Sequence, residues 1–120
     1  MTESSYPYKA RDGNCSYNSS NNTGVLTSSW SFVTADSVDA MKSALNTKVL
    51  SVAIEADQSV FQMYSGGVFS SIMCGTSLDH ATNVVGWGTD ASAGDYWIMR
   101  NSWGTSWGIQ GYMKVAIVEG

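Results

Sequence analysis

A change of hydrophobic period near residue 48 does most to fix what this chain of 120 residues can become. Before it, the segment ADSVDAMKSALNTKV sets Val38, Met41 and Leu45 at i, i+3 and i+7, one stripe of a helix. Asp36 or Ser37 can cap its first turn, and Asp39 adds negative charge there. The spacing predicts one main helix over about residues 37–47, its stripe packed on a core. After residue 48 the apolar runs are short and rich in β-branched and aromatic side chains. Strands are predicted at 49–56 (VLSVAIEA), from His80 to Trp87, at 96–100 (YWIMR) and at 112–118 (YMKVAIV), and Gly66-Gly67 breaks the chain before Val68-Phe69. Asp90 to Gly94 reads as a turn, and Trp30 to Val33 as a short strand ahead of the helix. One helix followed by antiparallel strands predicts an α+β fold with a barrel-like sheet, residues 1–120 forming a single domain. Trp87, Trp97 and Tyr112 are expected in its core or on a sheet face.

The surface of such a domain narrows its functions. Only 13% of residues are charged, against about 25% in an ordinary soluble domain. With five Trp and six Tyr, this implies an extensive semi-polar surface suited to covering by another domain. The net charge of -4 and the lack of a basic cluster argue against a nucleic-acid partner. No stretch reaches the ~20 apolar residues that span a bilayer, so no membrane partner is expected. The opening MTESSYPYKARDG lacks the apolar segment of a signal peptide. A glycan-binding β domain would rest on Trp and Gly richness alone.

Residues 12–29 (DGNCSYNSSNNTGVLTSS) are polar, Asn- and Ser-rich, and read as a long surface loop. Three glycosylation sequons begin there, at Asn14, Asn18 and Asn21. The two cysteines, Cys15 and Cys74, make neither a C-x-x-C pair nor a zinc array with the one histidine available. A site built from Cys74, His80 and a carboxylate would be a poor zinc site, so no metal and no cofactor is expected. Counting alone leaves a Cys15–Cys74 disulfide open.

That histidine, His80, opens a predicted strand within SLDHATNVVGWG, and Asn101 follows a later one. If those strands pair, the Asn101 amide oxygen can accept a hydrogen bond from one imidazole nitrogen and fix its tautomer and aim. Trp103 can then cover that bond and keep water from it. By spacing alone, a strand histidine is more often a satisfied structural residue.

Longer motifs change that balance. SSYPYKARDGNC, VLSVAIEADQSVFQMYSGGVFSS, CGTSLDHATNVVGWG and YWIMRNSWGTSWGIQGYMKV occur in this order. Together they resemble the C-terminal, right-hand domain of the papain-like cysteine peptidases, the last through the pattern NSWG-x-x-WG-x-x-GY. The resemblance implies an endopeptidase in which His80 is the catalytic histidine, Asn101 its orienting partner and Trp103 the shield of their bond. It places Ala53, Leu78, Asp79 and Ala81 on the hydrophobic specificity pocket and adjoining cleft wall, and Gln62 and Trp103 on the opposite, primed side. Small Ala53 and Ala81 would leave room for a bulky apolar substrate side chain. Peptide or protein is the implied substrate, and a lysosomal or secreted location is implied as well.

The family's nucleophile lies in a C-G-S-C-W-like segment about 130 residues before its histidine, a count that falls ahead of Met1. Its oxyanion-hole glutamine belongs to the same N-terminal domain. Cys15 and Cys74 match family disulfide positions whose partners lie outside this sequence, which implies an oxidising compartment. The chain is therefore expected to be a fragment that needs the N-terminal domain as partner and is inactive alone. The alternative is a non-catalytic peptide-binding module, which would have no use for an oriented imidazole.

Overall fold

A computed structural model of the protein describes residues 1–25 and 27–118. The chain divides into two compact units, Met1–Phe32 and Val33–Gly120. In the first, one 3-10 turn, Ser19–Asn21, interrupts an irregular backbone. The Asn18 side chain accepts from the Ser20 N–H at its start. The loop expected over 12–29 is otherwise as read, its position 26 lying outside the described residues. The strand expected over residues 30–33 is absent. Its β-like composition found no neighbour to pair with; Trp30 and Phe32 instead meet edge-on at 5.2 Å and stay exposed.

The second unit follows the change of period. Helix α1, Val38–Leu45, is capped by the Ser37 hydroxyl, which accepts from the Ala40 N–H. None of its residues is fully buried, so its apolar stripe is half-covered where core packing was expected. Lys42 near its end reaches Asp95 at 3.0 Å. Strands follow at Leu50–Ile54 (β1), Val68–Phe69 (β2), His80–Asp90 (β3), Gly94–Arg100 (β4) and Tyr112–Ala116 (β5). A four-residue helix, α2, Ser59–Gln62, lies between β1 and β2, where no helix was expected. A single turn of helix carries too little periodicity to show. The turn joining β3 to β4 is held by the Asp90 carboxylate, which accepts from the backbone of Ser92 and Ala93.

The five strands form one sheet in the order β1-β3-β4-β5-β2. All neighbours are antiparallel except β2 and β5, which run parallel through Val68↔Lys114 and Phe69↔Val115. The α+β class of the sequence reading holds, with the sheet mixed and open, β1 and β2 being its two edges. A register shift between Val84 and Gly86 marks a bulge in β3.

The core gathers Ala56, Phe61, Tyr64, Met99, Trp107 and Met113, with Ile54, Phe69 and Val115 packed against it. Tyr64 is anchored within it, donating to the Gly67 carbonyl at 2.6 Å and accepting from the Lys114 N–H. Trp87, Trp97 and Tyr112 lie on the sheet partly exposed, sheet-face residues as one of the two readings had it.

Candidate active site

His80 is placed by the pairing of β1 with β3, where it stands opposite Ile54. The residue before it clamps that corner. The Asp79 N–H donates to the Ile54 carbonyl at 3.0 Å, and its carboxylate accepts from the Ala56 N–H at 2.7 Å. The end of β1 and the start of β3 are thus held together beside the imidazole.

Asn101 follows the last residue of β4 and is buried. Its N–H donates to the Gly111 carbonyl at 2.9 Å, closing the loop 101–111 on itself. Three glycines of that loop have positive φ, Gly104 among them at +83°. Gly108 and Gly111 have φ of +59° and +88°, in the region that a Cβ disfavours. A Cβ on Gly108 would stand 2.5 Å from the Tyr112 carbonyl oxygen. This explains why the motif spends glycines here.

The two side chains meet through His80 Nε2 and Asn101 Oδ1, 2.9 Å apart. Oδ1 also accepts from the Ser102 N–H at 2.8 Å. A backbone N–H can only donate, so the amide atom facing it must be oxygen. Because that same oxygen faces Nε2, the imidazole must carry a proton on Nε2 to complete the pair. Nδ1 is then the ring nitrogen left for another partner.

The Trp103 indole stacks on the imidazole, with centroids 5.2 Å apart and planes inclined at 29°. It is itself held edge-on by Phe61 at 5.5 Å and Trp107 at 5.5 Å. Trp107 donates its indole N–H to the Gln62 carbonyl at 3.0 Å, tying α2 to the loop. Phe61, Trp107 and the Ser102 N–H complete the surroundings of the pair, and none was singled out from sequence. Trp107 stood within a recognised motif. Phe61 had only its aromatic type as a signal, and a backbone donor leaves none.

The other expected site residues separate. Ala53 and Leu78 line an apolar cavity of about 350 Å³ with Val52, Ile54, Met99 and Val115. Ala81 lines a different, smaller pocket of about 100 Å³. Asp79 is taken up by its backbone clamp, and the Gln62 side chain is exposed, its amide donating to the Asp57 carbonyl at 3.3 Å. Both cysteines are free and exposed. Partial burial and the nearby Glu55 carboxylate push the Cys74 thiol above its ordinary value, which works against a thiolate. Among the described residues no helix is long and apolar enough to cross a membrane.

Known proteins match this chain over nearly its whole length. The family model described as papain family cysteine protease matches residues 1–119. The probable cysteine protease RD21B of Arabidopsis thaliana is 50% identical over 115 residues, which are 96% of this chain and 24% of the relative. Fruit bromelain of Ananas comosus is 44% identical over 96% of this chain and 32% of its own length. Cathepsin L of Sarcophaga peregrina is 44% identical over 96% of this chain and 34% of its own. The chain thus spans a quarter to a third of these relatives. Among solved structures, the bromelain protease from Ananas comosus in complex with the E64 inhibitor superposes with a TM-score of 0.73 at 36% identity. That match covers 96% of this chain and 52% of the other.

Proposed function

The chain belongs to the papain family of cysteine proteases, and on that premise we propose that it carries the histidine and asparagine of a cysteine endopeptidase. The single observation behind this reading is the 2.9 Å contact between His80 and Asn101 under the Trp103 ring. An asparagine oxygen fixed by a backbone donor obliges the imidazole to present Nδ1 outward. In the reaction, a cysteine thiol yields its proton to Nδ1, and the thiolate sulfur attacks the peptide carbonyl carbon. The imidazolium then gives that proton to the departing amine as the C–N bond breaks, leaving a thioester. His80 next takes a proton from water, whose oxygen displaces the sulfur and releases the acid. Throughout, Asn101 Oδ1 holds the ring and stabilises its positive form. Stacking by Trp103 keeps water from the hydrogen bond and so strengthens it.

The attacking thiol is assigned to a part of the protein outside these 120 residues, carried by an N-terminal peptidase domain that is this chain's partner. Cys74 has the wrong electrostatic setting for it. The substrate is peptide or protein, with an apolar side chain resting on the wall that includes Ala53 and Leu78. Lysosomal or secreted placement accords with the exposed sequons at Asn14, Asn18 and Asn21. A binding module without chemistry would leave the aimed imidazole unused.

The test is to join the chain to the N-terminal portion of a papain-family relative that supplies the thiol, and to follow cleavage of a fluorogenic peptide. Activity that is blocked by E-64 and lost in His80→Ala is the expected result. Undiminished turnover in His80→Ala would refute the assignment.

A further inference from the structure

Two carboxylates cross between the end of β1 and the start of β3, in opposite directions. Asp79, just ahead of β3, accepts from the Ala56 N–H. Glu55, the residue after β1, accepts from the Ser77 N–H at 3.1 Å. Glu55 is half-buried and both of its oxygens are taken, Oε2 by Ser77 and Oε1 by the Gln58 side-chain amide at 3.0 Å. Its carboxylate lies where a Cβ on Gly75 would stand, an approach that the glycine permits. The segment 75–79 is thereby tied to the end of β1 at two positions, 77 and 79.

Leu78 lies between the two ties. Its side chain is 64% exposed, so packing does little to fix it, and its N–H turns back to the Thr76 carbonyl at 3.0 Å. An exposed side chain makes a wall of fixed position only where its backbone is held. Asp79 holds the backbone after Leu78, and Glu55 holds it before. We propose that Glu55 is a positioning residue for substrate selection: by fixing Ser77 it sets Leu78 as the support for a bulky apolar substrate side chain. A carboxylate suits this task, because a hydrogen bond to a charged acceptor is stronger than one to a neutral acceptor. Without it the segment is tied at one end alone, while the Asp79 clamp continues to place His80. The effect therefore falls on which substrates bind and not on the proton transfers. The consequence for substrates rests on the proposed peptidase function; the latch itself does not.

The experiment has one arm for each. In the isotopically labelled full chain, solvent exchange of the Ser77 amide proton is followed by NMR. It should run about fivefold or more below the intrinsic rate for its sequence, the effect of one hydrogen bond, and return toward that rate in Glu55→Ala. Glu55→Gln keeps an acceptor oxygen without the charge and should stay closer to the wild type. Exchange at the intrinsic rate in the wild-type chain overturns the proposal, even if Glu55→Ala does not fold. So does a folded Glu55→Ala chain in which Ser77 exchange is unchanged. In the joined enzyme, two fluorogenic peptides are compared that differ only in leucine or alanine beside the scissile residue. Glu55→Ala should raise KM for the leucine peptide by about 3- to 10-fold, with KM for the alanine peptide and both kcat values nearly constant. Glu55→Gln should recover most of the preference. An unaltered preference in Glu55→Ala, where His80→Ala is inactive, removes the positioning role, as does an equal loss on both peptides. Undiminished activity in His80→Ala would instead count against the peptidase reading and leave the latch to be decided by the exchange rates.

Discussion

Replacing Asn101 with alanine isolates what the amide oxygen does. The substitution removes the acceptor at 2.9 Å from His80 Nε2 and at 2.8 Å from the Ser102 N–H. Ser102 is exposed, so its N–H can turn to water and that part of the loss is small. The bond to the imidazole is different, because Asn101 is 7% exposed and Trp103 covers the ring. A hydrogen bond to a charged group is worth about 1.5–3 kcal/mol. In the proposed reaction the imidazole is charged when the amine departs, so that loss falls on the transition state. At about 1.36 kcal/mol per decade, kcat/KM should fall by roughly 10- to 150-fold. The assay is steady-state cleavage of a fluorogenic peptide by the joined enzyme, with circular dichroism to confirm folding. Asn101→Asp retains both acceptor contacts and should lose less than Asn101→Ala. A folded Asn101→Ala enzyme within about threefold of the parent would refute the orienting role, since even a neutral hydrogen bond is worth about 1 kcal/mol.

Three further outcomes follow from geometry described above. Gly108→Ala should lower stability by about 1–3 kcal/mol, from a left-handed φ and a Cβ pressed on the Tyr112 carbonyl, as read from the urea midpoint. Asp95 is held below its ordinary value by the Thr89 hydroxyl and then by Lys42. Its contribution is therefore present above the unfolded carboxylate value and lost as pH falls through the lowered folded one. The stability difference between the parent and Asp95→Asn, measured by denaturation in steps from pH 6 to pH 2, should shrink on the acid side. Glu55→Gln removes the charge that, after partial burial, raises the Cys74 thiol. Cys74 should then be alkylated faster at pH 8, by about twofold, as followed by mass spectrometry of its peptide.

The fold was legible where the chain's period was sustained. Val38, Met41 and Leu45 marked α1, and the β-branched runs marked β1 and β3 to β5 within a few residues. What sequence could not show was pairing over distance. Nothing in Val68-Phe69 foretells a parallel partner in β5, and nothing in residues 30–33 reveals that no partner exists. Around the site, His80, Asn101 and Trp103 stood out through long motifs, and the structure brings those three together. Ala53, Leu78, Asp79 and Ala81 carried no comparable signal of direction. They lie on two cavities and a backbone clamp, because their surroundings depend on loops whose course no local pattern fixes. The second hydrogen bond on Asn101 comes from main chain, which any residue but proline at position 102 would supply.

That main-chain bond also bears on how long the molecule lasts. An asparagine followed by serine ages by attack of the next backbone nitrogen on the side-chain carbonyl carbon, with loss of ammonia and closure to a succinimide. The attack requires the Ser102 nitrogen to give up its proton and swing toward that carbon. Here the proton is engaged by Oδ1, and the bond from the Asn101 N–H to the Gly111 carbonyl holds the backbone just before it. The contact that aims the imidazole therefore also slows the chemical decay of the residue that aims it.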